Sequence, residues 1–327
     1  WCIGANDASN PTDTAVGAGA LTINRALLLF SIFAGVGAIA QGWMVMKTLG
    51  KGVVAIEDVL SALIAVLAAG IWVIIASWKG LPVSTSQSIA GGVLGIGFAY
   101  ILMGRIGLSD IKWSIVSKIV LSWITSPLAS MFLAATLFYL LKKILWKPSR
   151  FNKIDQIFKY LLIISLVFSA YSFGANDVGN ATGVYVAVTE KYLGLPTTTT
   201  RIFLAILGSI GIALGGFTLG RRVISTVAYK ITRLDLLTGV AAELSNALTV
   251  WLFTTIPYMV FGYGMPISTT HASVSSIIGV GIARSRNLKG VNWRIVFQII
   301  FSWLLTLPIT STLAMVFRYL IYTIIHI

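Results

Sequence analysis

Six apolar stretches, each long enough or nearly so for one helix to cross a hydrocarbon core of about 20 residues, constrain this chain more than anything else in it. They are Ala26–Met46, Leu60–Trp78, Ile115–Leu141, Ile157–Phe173, Ile202–Leu219 and Val296–Ile325. Two shorter ones, Ile89–Met103 and Val274–Ile282, have the marginal length of half-spanning or re-entrant segments. Only 10% of the 327 residues are charged, against about 25% in soluble domains. So few charges cannot cover a water-facing surface. The stretches lack the ten-residue alternation of barrel strands, so an all-α polytopic membrane protein is expected.

The net charge of +14 sits in short loops between the apolar stretches. That pattern points to cytoplasmic loop retention rather than to a nucleic-acid partner. The densest basic cluster is Lys142, Lys143, Lys147, Arg150, Lys153 and Lys159, opposed only by Asp155, and it is placed in the cytoplasm. One cysteine, Cys2, excludes an internal disulfide and a cysteine metal cluster.

The chain also repeats itself. Gly4-Ala5-Asn6-Asp7-Ala8-Ser9-Asn10 returns as Gly174-Ala175-Asn176-Asp177-Val178-Gly179-Asn180. Leu81-Pro82-Val83-Ser84-Thr85-Ser86-Gln87 returns as Met265-Pro266-Ile267-Ser268-Thr269-Thr270-His271. Ser122-Trp123 and Ser302-Trp303 each precede a proline, Pro127 or Pro308. The order is the same in both halves, as internal repeats of secondary transporters require. The division reads as a first repeat over 1–141, a basic linker over 142–156 and a second repeat over 157–327. A full apolar span precedes the second GAND segment and only three residues precede the first, so one more helix is expected ahead of Trp1. Inversion of the halves is an inference from the transporter pattern.

Asp7 and Asp177 hold equivalent places among only ten acids in the chain. A carboxylate in an apolar span costs about 2.5–3.5 kcal/mol on insertion scales and is functional by default. The glycine ahead of each Asn-Asp is read as permitting a helix break that frees carbonyl oxygens. Carboxylate, amide and carbonyl oxygens suit a hard cation. The sodium ligands on this reading are Ala5, Asn6, Asp7, Asn10, Asn176, Asp177 and Asn180. Asp13, whose counterpart is Gly183, is either a further cation ligand or an interfacial solvated residue. The bland alternative, capping of helices at the membrane surface, is weakened by the second copy at the same spacing.

Proline, then Ser-Thr-Ser or Ser-Thr-Thr, then an apolar run reads as a helix start. Unpaired N–H groups, the positive dipole end and added hydroxyls make such a start an anion site. Ser84, Thr85, Ser86, Ser268, Thr269 and Thr270 are the candidates there. Leu195–Thr200 looks similar but is read as a loop and cap. His271 aligns with Gln87, so a required general base is excluded and a structural role is expected. Glu243 and Asn246 either bind a cation or tie helices together.

These residues resemble the inorganic phosphate transporter (PiT) family, in its paired GANDVANA-type and P-[VI]-S-T-T-H signatures, over nearly the whole chain. The resemblance implies symport of phosphate with sodium, or with protons in some members. It implies two inverted-topology repeats with broken helices and re-entrant helical hairpins, a midplane site, a homodimer and a plasma-membrane location. Carried over by position, Asp7, Asn10, Asp177 and Asn180 serve the cation and phosphate sites, and the Ser and Thr residues above hold phosphate oxygens. Asn10-Pro11-Thr12-Asp13 departs from the family's Asn-Ala-x-Gly, and Ser86-Gln87 departs from Thr-His. Sodium is the expected co-substrate, with no cofactor, transition metal or enzymatic activity. The alternatives are a proton-coupled phosphate or sulfate symporter and a passive anion channel. An intramembrane hydrolase built on Ser84 or Ser268 with His271 is disfavoured, because one active site needs no duplicate.

Overall fold

In a computed structural model, all residues are described except 47–52, 57, 146–150, 194–196, 263 and 326–327. The described secondary structure is helical. The first half holds α1 (Cys2–Asp7), α2 (Asp13–Gly17), α3 (Ile23–Gln41), α4 (Val59–Trp78), α5 (Thr85–Leu102) and α6 (Trp113–Leu145). The second holds α7 (Phe151–Leu193), α8 (Thr198–Gly215), α9 (Arg221–Lys230), α10 (Leu236–Phe261), α11 (Thr269–Ser285) and α12 (Trp293–Ile325). A π turn over Gly216–Gly220 joins α8 to α9. Among the described residues, eight helices are long and apolar enough to cross a membrane. The basic cluster is partly helical: Lys142 and Lys143 lie in the last turn of α6, and the centre of the linker, with Lys147 and Arg150, lies outside the described residues.

Helices α5 and α11 run longer than their apolar stretches. They have 18 and 17 residues, about 27 and 26 Å at about 1.5 Å per residue. The apolar runs understated them because both carry Ser, Thr and Gly on faces turned to protein rather than lipid. Nearly all of α5 and α11 is buried.

The halves trade partners. Helix α3 packs most extensively on α7, and its counterpart α8 packs on α1. Helix α5 packs on α12, and its counterpart α11 packs on α6. Each contact joins one half to the other, and each recurs with the roles exchanged. Glycines set the close approaches. A Cβ on Gly4 would stand 1.8 Å from the carbonyl oxygen of Ile212, and one on Gly174 would stand 1.9 Å from that of Ala34. Gly95 against Ser311 and Gly279 against Met131 repeat the arrangement at 2.2 and 2.3 Å.

That packing corrects the reading of the GAND glycines. Gly4 and Gly174 do not break helices; they admit a neighbouring backbone. Only the first segment is broken, between α1 and α2, whereas α7 runs through Gly174–Asn180 without interruption. The cause is Pro11. It has no N–H to donate to the Asp7 carbonyl four residues back and its ring crowds that position. The Asp7 carbonyl instead accepts from Asn10 N at 3.0 Å, and the Ser9 carbonyl accepts from Thr12 N at 2.9 Å and Asp13 N at 2.8 Å. Ala181 stands where Pro11 does and lets the helix continue.

The starts of α4 and α10 match as well. The Asp58 side chain accepts from Ser61 N, and the Asp235 side chain from Thr238 N. Asp58 also accepts from the Ser61 hydroxyl at 2.7 Å and the Tyr100 hydroxyl at 2.8 Å, with the buried Arg318 guanidinium at 3.9 Å. Burial pushes this carboxyl up, but the Ser61 N–H, the two hydroxyls and Arg318 together hold it below the ordinary carboxylate range. A folded-state value below the unfolded one means that the stabilisation is complete above about pH 4 and is lost as pH falls toward the folded value. Asp58→Ala is expected to lower stability by about 1–2 kcal/mol, the usual worth of an N-cap. Thermal unfolding in detergent at neutral pH checks this, and the difference should shrink in strong acid.

Candidate functional site

Four chain segments meet at one buried cluster. Asp7 comes from the end of α1, and Asn10 from the turn that Pro11 creates. Asp177 and Asn180 come from the middle of α7. Thr85 comes from the start of α5, and Thr269 and Thr270 from the start of α11. Each is at most 4% exposed.

The two halves interlock here through hydroxyls. Thr85 Oγ1 donates to Asp7 Oδ2. Thr270 Oγ1 lies 3.2 Å from Asp7 Oδ1 and 3.1 Å from the Val83 carbonyl, so one proton serves two acceptors. Asn10 Nδ2 donates to Thr269 Oγ1 at 3.0 Å and to Thr270 Oγ1 at 3.1 Å. Asn180 Nδ2 donates to Asp177 Oδ1 at 3.1 Å, while Asp177 Oδ2 has no partner. Asp177 also feels the charge of Asp7. Among the described residues, the partners of these carboxylates are hydroxyls, an amide and each other, with no Lys or Arg.

Not every candidate reaches this cluster. Ser84 and Ser268 act as ordinary N-caps: their hydroxyls accept from Gln87 N at 3.2 Å and His271 N at 3.1 Å. Ser86 Oγ lies 3.0 Å from Ser84 Oγ. Asn6 and Asn176 are clasps. Asn6 Nδ2 donates to Ser77 Oγ and the Leu81 carbonyl, both at 3.0 Å, and its oxygen accepts from Val83 N at 2.9 Å. Asn176 Nδ2 donates to Thr254 Oγ1 at 2.7 Å and the Met265 carbonyl at 3.0 Å. Each asparagine thus pins the turn ahead of the hydroxyl-rich helix start in its own half. Ala5 is fully buried in α1, with its N–H bonded to the Trp1 carbonyl. Thr197 caps α8 as a helix start, as expected.

His271 is a packing element. Its ring lies 3.9 Å from that of Trp303, and its Nδ1 lies 3.2 Å from the Trp123 carbonyl. Asp13 does not join the central cluster. It belongs to a second one with Glu243, Thr14, Ser273 and Asn246, of which Thr14, Ser273 and the adjoining Ser169 were not singled out in the sequence. Their only sequence signal is a hydroxyl inside a helical stretch, which is far too common to select.

A cavity of about 560 Å³ opens beside the central cluster between α4, α7 and α8. Thr85, Ser88 and Asn180 form its polar end, and Val66, Ala69, Leu204 and Leu207 its apolar walls.

Two hydroxyl-rich helix starts and two carboxylates, buried among membrane-crossing helices, define a multi-pass membrane protein with an enclosed polar site at its centre. The chain belongs to the phosphate transporter family, whose family model matches residues 3–314. It is 34% identical to a protein of Pyrococcus abyssi named "Putative phosphate permease", over 98% of this chain and 95% of that one. A protein of the same name from Chlamydia muridarum is 29% identical over 97% of this chain and 94% of its own. A solved structure titled "The sodium-dependent phosphate transporter" matches with a TM-score of 0.83 and 30% identity, covering 99% of this chain and 96% of that one.

Proposed function

We propose that this protein imports inorganic phosphate across the plasma membrane by symport with sodium, with alternating access to the central cluster. The observation that carries the reading is the meeting of Asp7 and Asp177 with the N-termini of α5 and α11 and no basic partner between them. Helix starts and hydroxyls attract an oxyanion. Two carboxylates beside it repel the same ion, by about 3 kcal/mol for unit charges roughly 5 Å apart at an effective dielectric constant of about 20. Sodium ions held by Asp7, Asp177, Asn10 and Asn180 cancel that repulsion. Phosphate then binds well only with sodium present, and linkage makes the dependence mutual. Thr85, Thr269 and Thr270 reorient their hydroxyls from the carboxylates to phosphate oxygens once sodium occupies the carboxylates, with Ser84, Ser86 and Ser268 beside them.

The architecture supports the same reading. Hairpins α4–α5 and α10–α11 carry their turns to the GAND asparagines, as re-entrant hairpins meeting near the midplane do. With residues 1–141 and 157–327 as inverted repeats and the basic linker in the cytoplasm, movement of one set of packed helices against the other exposes the site to each side in turn.

Purified protein in liposomes loaded with potassium and placed in sodium buffer should accumulate radiolabelled phosphate above its outside concentration. Uptake that stops at equality, or that ignores the sodium gradient, would reject symport in favour of a channel or a proton-coupled carrier. Thr270→Val keeps the shape and removes a hydroxyl shared by Asp7 and Asn10. It should raise the KM for phosphate about tenfold, in line with the loss of a hydrogen bond to a charged group, as read from initial uptake rates.

A further inference from the structure

The second carboxylate cluster is fully buried, and among the described residues no Lys or Arg pairs with it. Asp13 and Glu243 are both 0% exposed, and the charge of Glu243 acts on Asp13. Ser273 Oγ donates to Asp13 Oδ2 at 2.8 Å, and Thr14 Oγ1 donates to Glu243 Oε2. The other oxygen of each carboxylate, Asp13 Oδ1 and Glu243 Oε1, has no hydrogen-bond partner. Asn246, itself 2% exposed, and Ser169 also lie within hydrogen-bonding reach of the Glu243 carboxylate. The Asn246 nitrogen donates to the Asn10 carbonyl at 3.0 Å and to Ser169 Oγ at 3.1 Å, and its oxygen is left unpartnered. Three buried oxygens of hard-ligand type therefore go unsatisfied around two like charges. Buried polar atoms are nearly always paired, and two adjacent carboxylates in a dry interior need a counter-charge.

The repeat-related positions carry none of this. The matched starts Asp58 and Asp235 set a spacing of 177 between α4 and α10, which pairs Glu243 with Val66 and Asn246 with Ala69. The matched caps Ser84 and Ser268 set a spacing of 184, which pairs Ser273 with Ile89. The GAND spacing of 170 pairs Asp13 with Gly183. Val66, Ala69 and Ile89 line the largely apolar cavity described above. Each of the four polar positions, Asp13 in the first half and Glu243, Asn246 and Ser273 in the second, thus answers an apolar or side-chain-free position in the opposite half, so the cluster is not a by-product of the repeat.

We propose that Asp13 and Glu243, with the Asn246 amide oxygen, form a sodium site separate from the paired GAND carboxylates. The donors are all oxygens, as a hard cation wants. Sodium, the co-substrate of the proposed symport, is the hard cation chosen, and calcium, which also takes oxygen ligands, is the rival that the test separates. The site touches the central cluster at two points. Asn246 holds the carbonyl of Asn10, whose side chain binds Thr269 and Thr270. Ser273 holds Asp13 from one turn further along α11 than those threonines. Occupation of the site fixes Asn10 and the start of α11 in the arrangement that the central cluster needs.

The test is binding of radioactive sodium to the purified full chain in detergent, without phosphate, so that it does not depend on what the protein carries. Asp13→Asn and Glu243→Gln should each lower the bound sodium by about one ion per chain at saturation of the parent, and shrink the sodium-induced rise in Tm. In sodium-free buffer both variants should melt no lower than the parent, because each removes a like-charge repulsion. Asp13→Gly, which installs the residue of the other half, should behave as Asp13→Asn does. Equal sodium binding and equal sodium-induced Tm shifts in parent and variants would overturn the proposal and leave a shared proton as the counter-charge. Stronger stabilisation by calcium than by sodium would overturn the choice of ion. Sodium-independent phosphate uptake by a parent that still binds sodium at Asp13 would reject the symport reading alone.

Discussion

Replacement of Asp7 by asparagine should abolish sodium-driven phosphate uptake, and Asp177→Asn should do the same. Asparagine keeps the size and an acceptor oxygen, so the Thr85 hydroxyl that meets Asp7 retains a partner and the buried cluster stays assembled. What disappears is the charge. Coupling free energies of about 1–3 kcal/mol correspond to ~5–150-fold in affinity, and the loss of a whole carboxylate lies at the upper end. Uptake from sodium buffer should fall at least about 100-fold. Residual phosphate binding should depend less on sodium, because one of the two charges that repel the anion is gone. Radiolabelled uptake and equilibrium binding across a sodium series measure both. Unchanged uptake with unchanged sodium dependence in both variants would reject the proposed role of the two carboxylates.

A second large effect is expected from one methyl group. Gly174→Ala places a Cβ 1.9 Å from a backbone carbonyl oxygen and 2.7 Å from its carbon. No side chain can turn aside, so α7 and α3 must separate. Overpacking of a tight interior costs about 1–3 kcal/mol, and more where backbone must move. The variant should lose several degrees of Tm in detergent or fail to accumulate in the membrane. Gly35→Ala is the control, since its Cβ would meet only Ser209, at 3.8 Å. That substitution should be neutral or raise stability by up to about 1 kcal/mol, through the better helix propensity of alanine. Equal stability of the two variants would show that the close α3–α7 approach does not carry the packing.

Much of the candidate site was legible because its residues are unusual for their surroundings. Acids inside apolar spans and hydroxyl-rich helix starts stand out, and their duplication marks them as paired. The membrane-crossing pattern was legible for the same reason, from hydropathy alone. What the residues did with their neighbours was harder to read. Pro11 was visible in the sequence, but the break was credited to the glycines, because a glycine's freedom and a glycine's smallness leave the same letter. Asn6 and Asn176 have the chemistry of cation ligands and were read so, yet their amides are taken by turns 75 and 89 residues away. Ser84 and Ser268 look like oxyanion ligands and are held as caps. The counterpart of Glu243, Val66, cannot be found by one fixed offset, since the repeat spacing changes from 177 at Asp58 and Asp235 to 184 at Ser84 and Ser268. The pairing of Asp13 with Glu243 joins positions 230 apart, and nothing local announces it.

The exchange of partners between halves has a consequence for synthesis. When the first half leaves the ribosome, α3, α5 and α6 face lipid or one another with the surfaces that α7, α12 and α11 will later cover. Ser130 of α6 cannot yet give its proton to the Ala272 carbonyl, which it reaches at 2.8 Å in the finished protein. The first half must therefore wait in the membrane as a loose, partly wetted set of helices until the second is threaded among them. Two halves made as separate chains should each be short-lived alone and persist only when produced together, so the duplicated sequence encodes one cooperative folding unit rather than two.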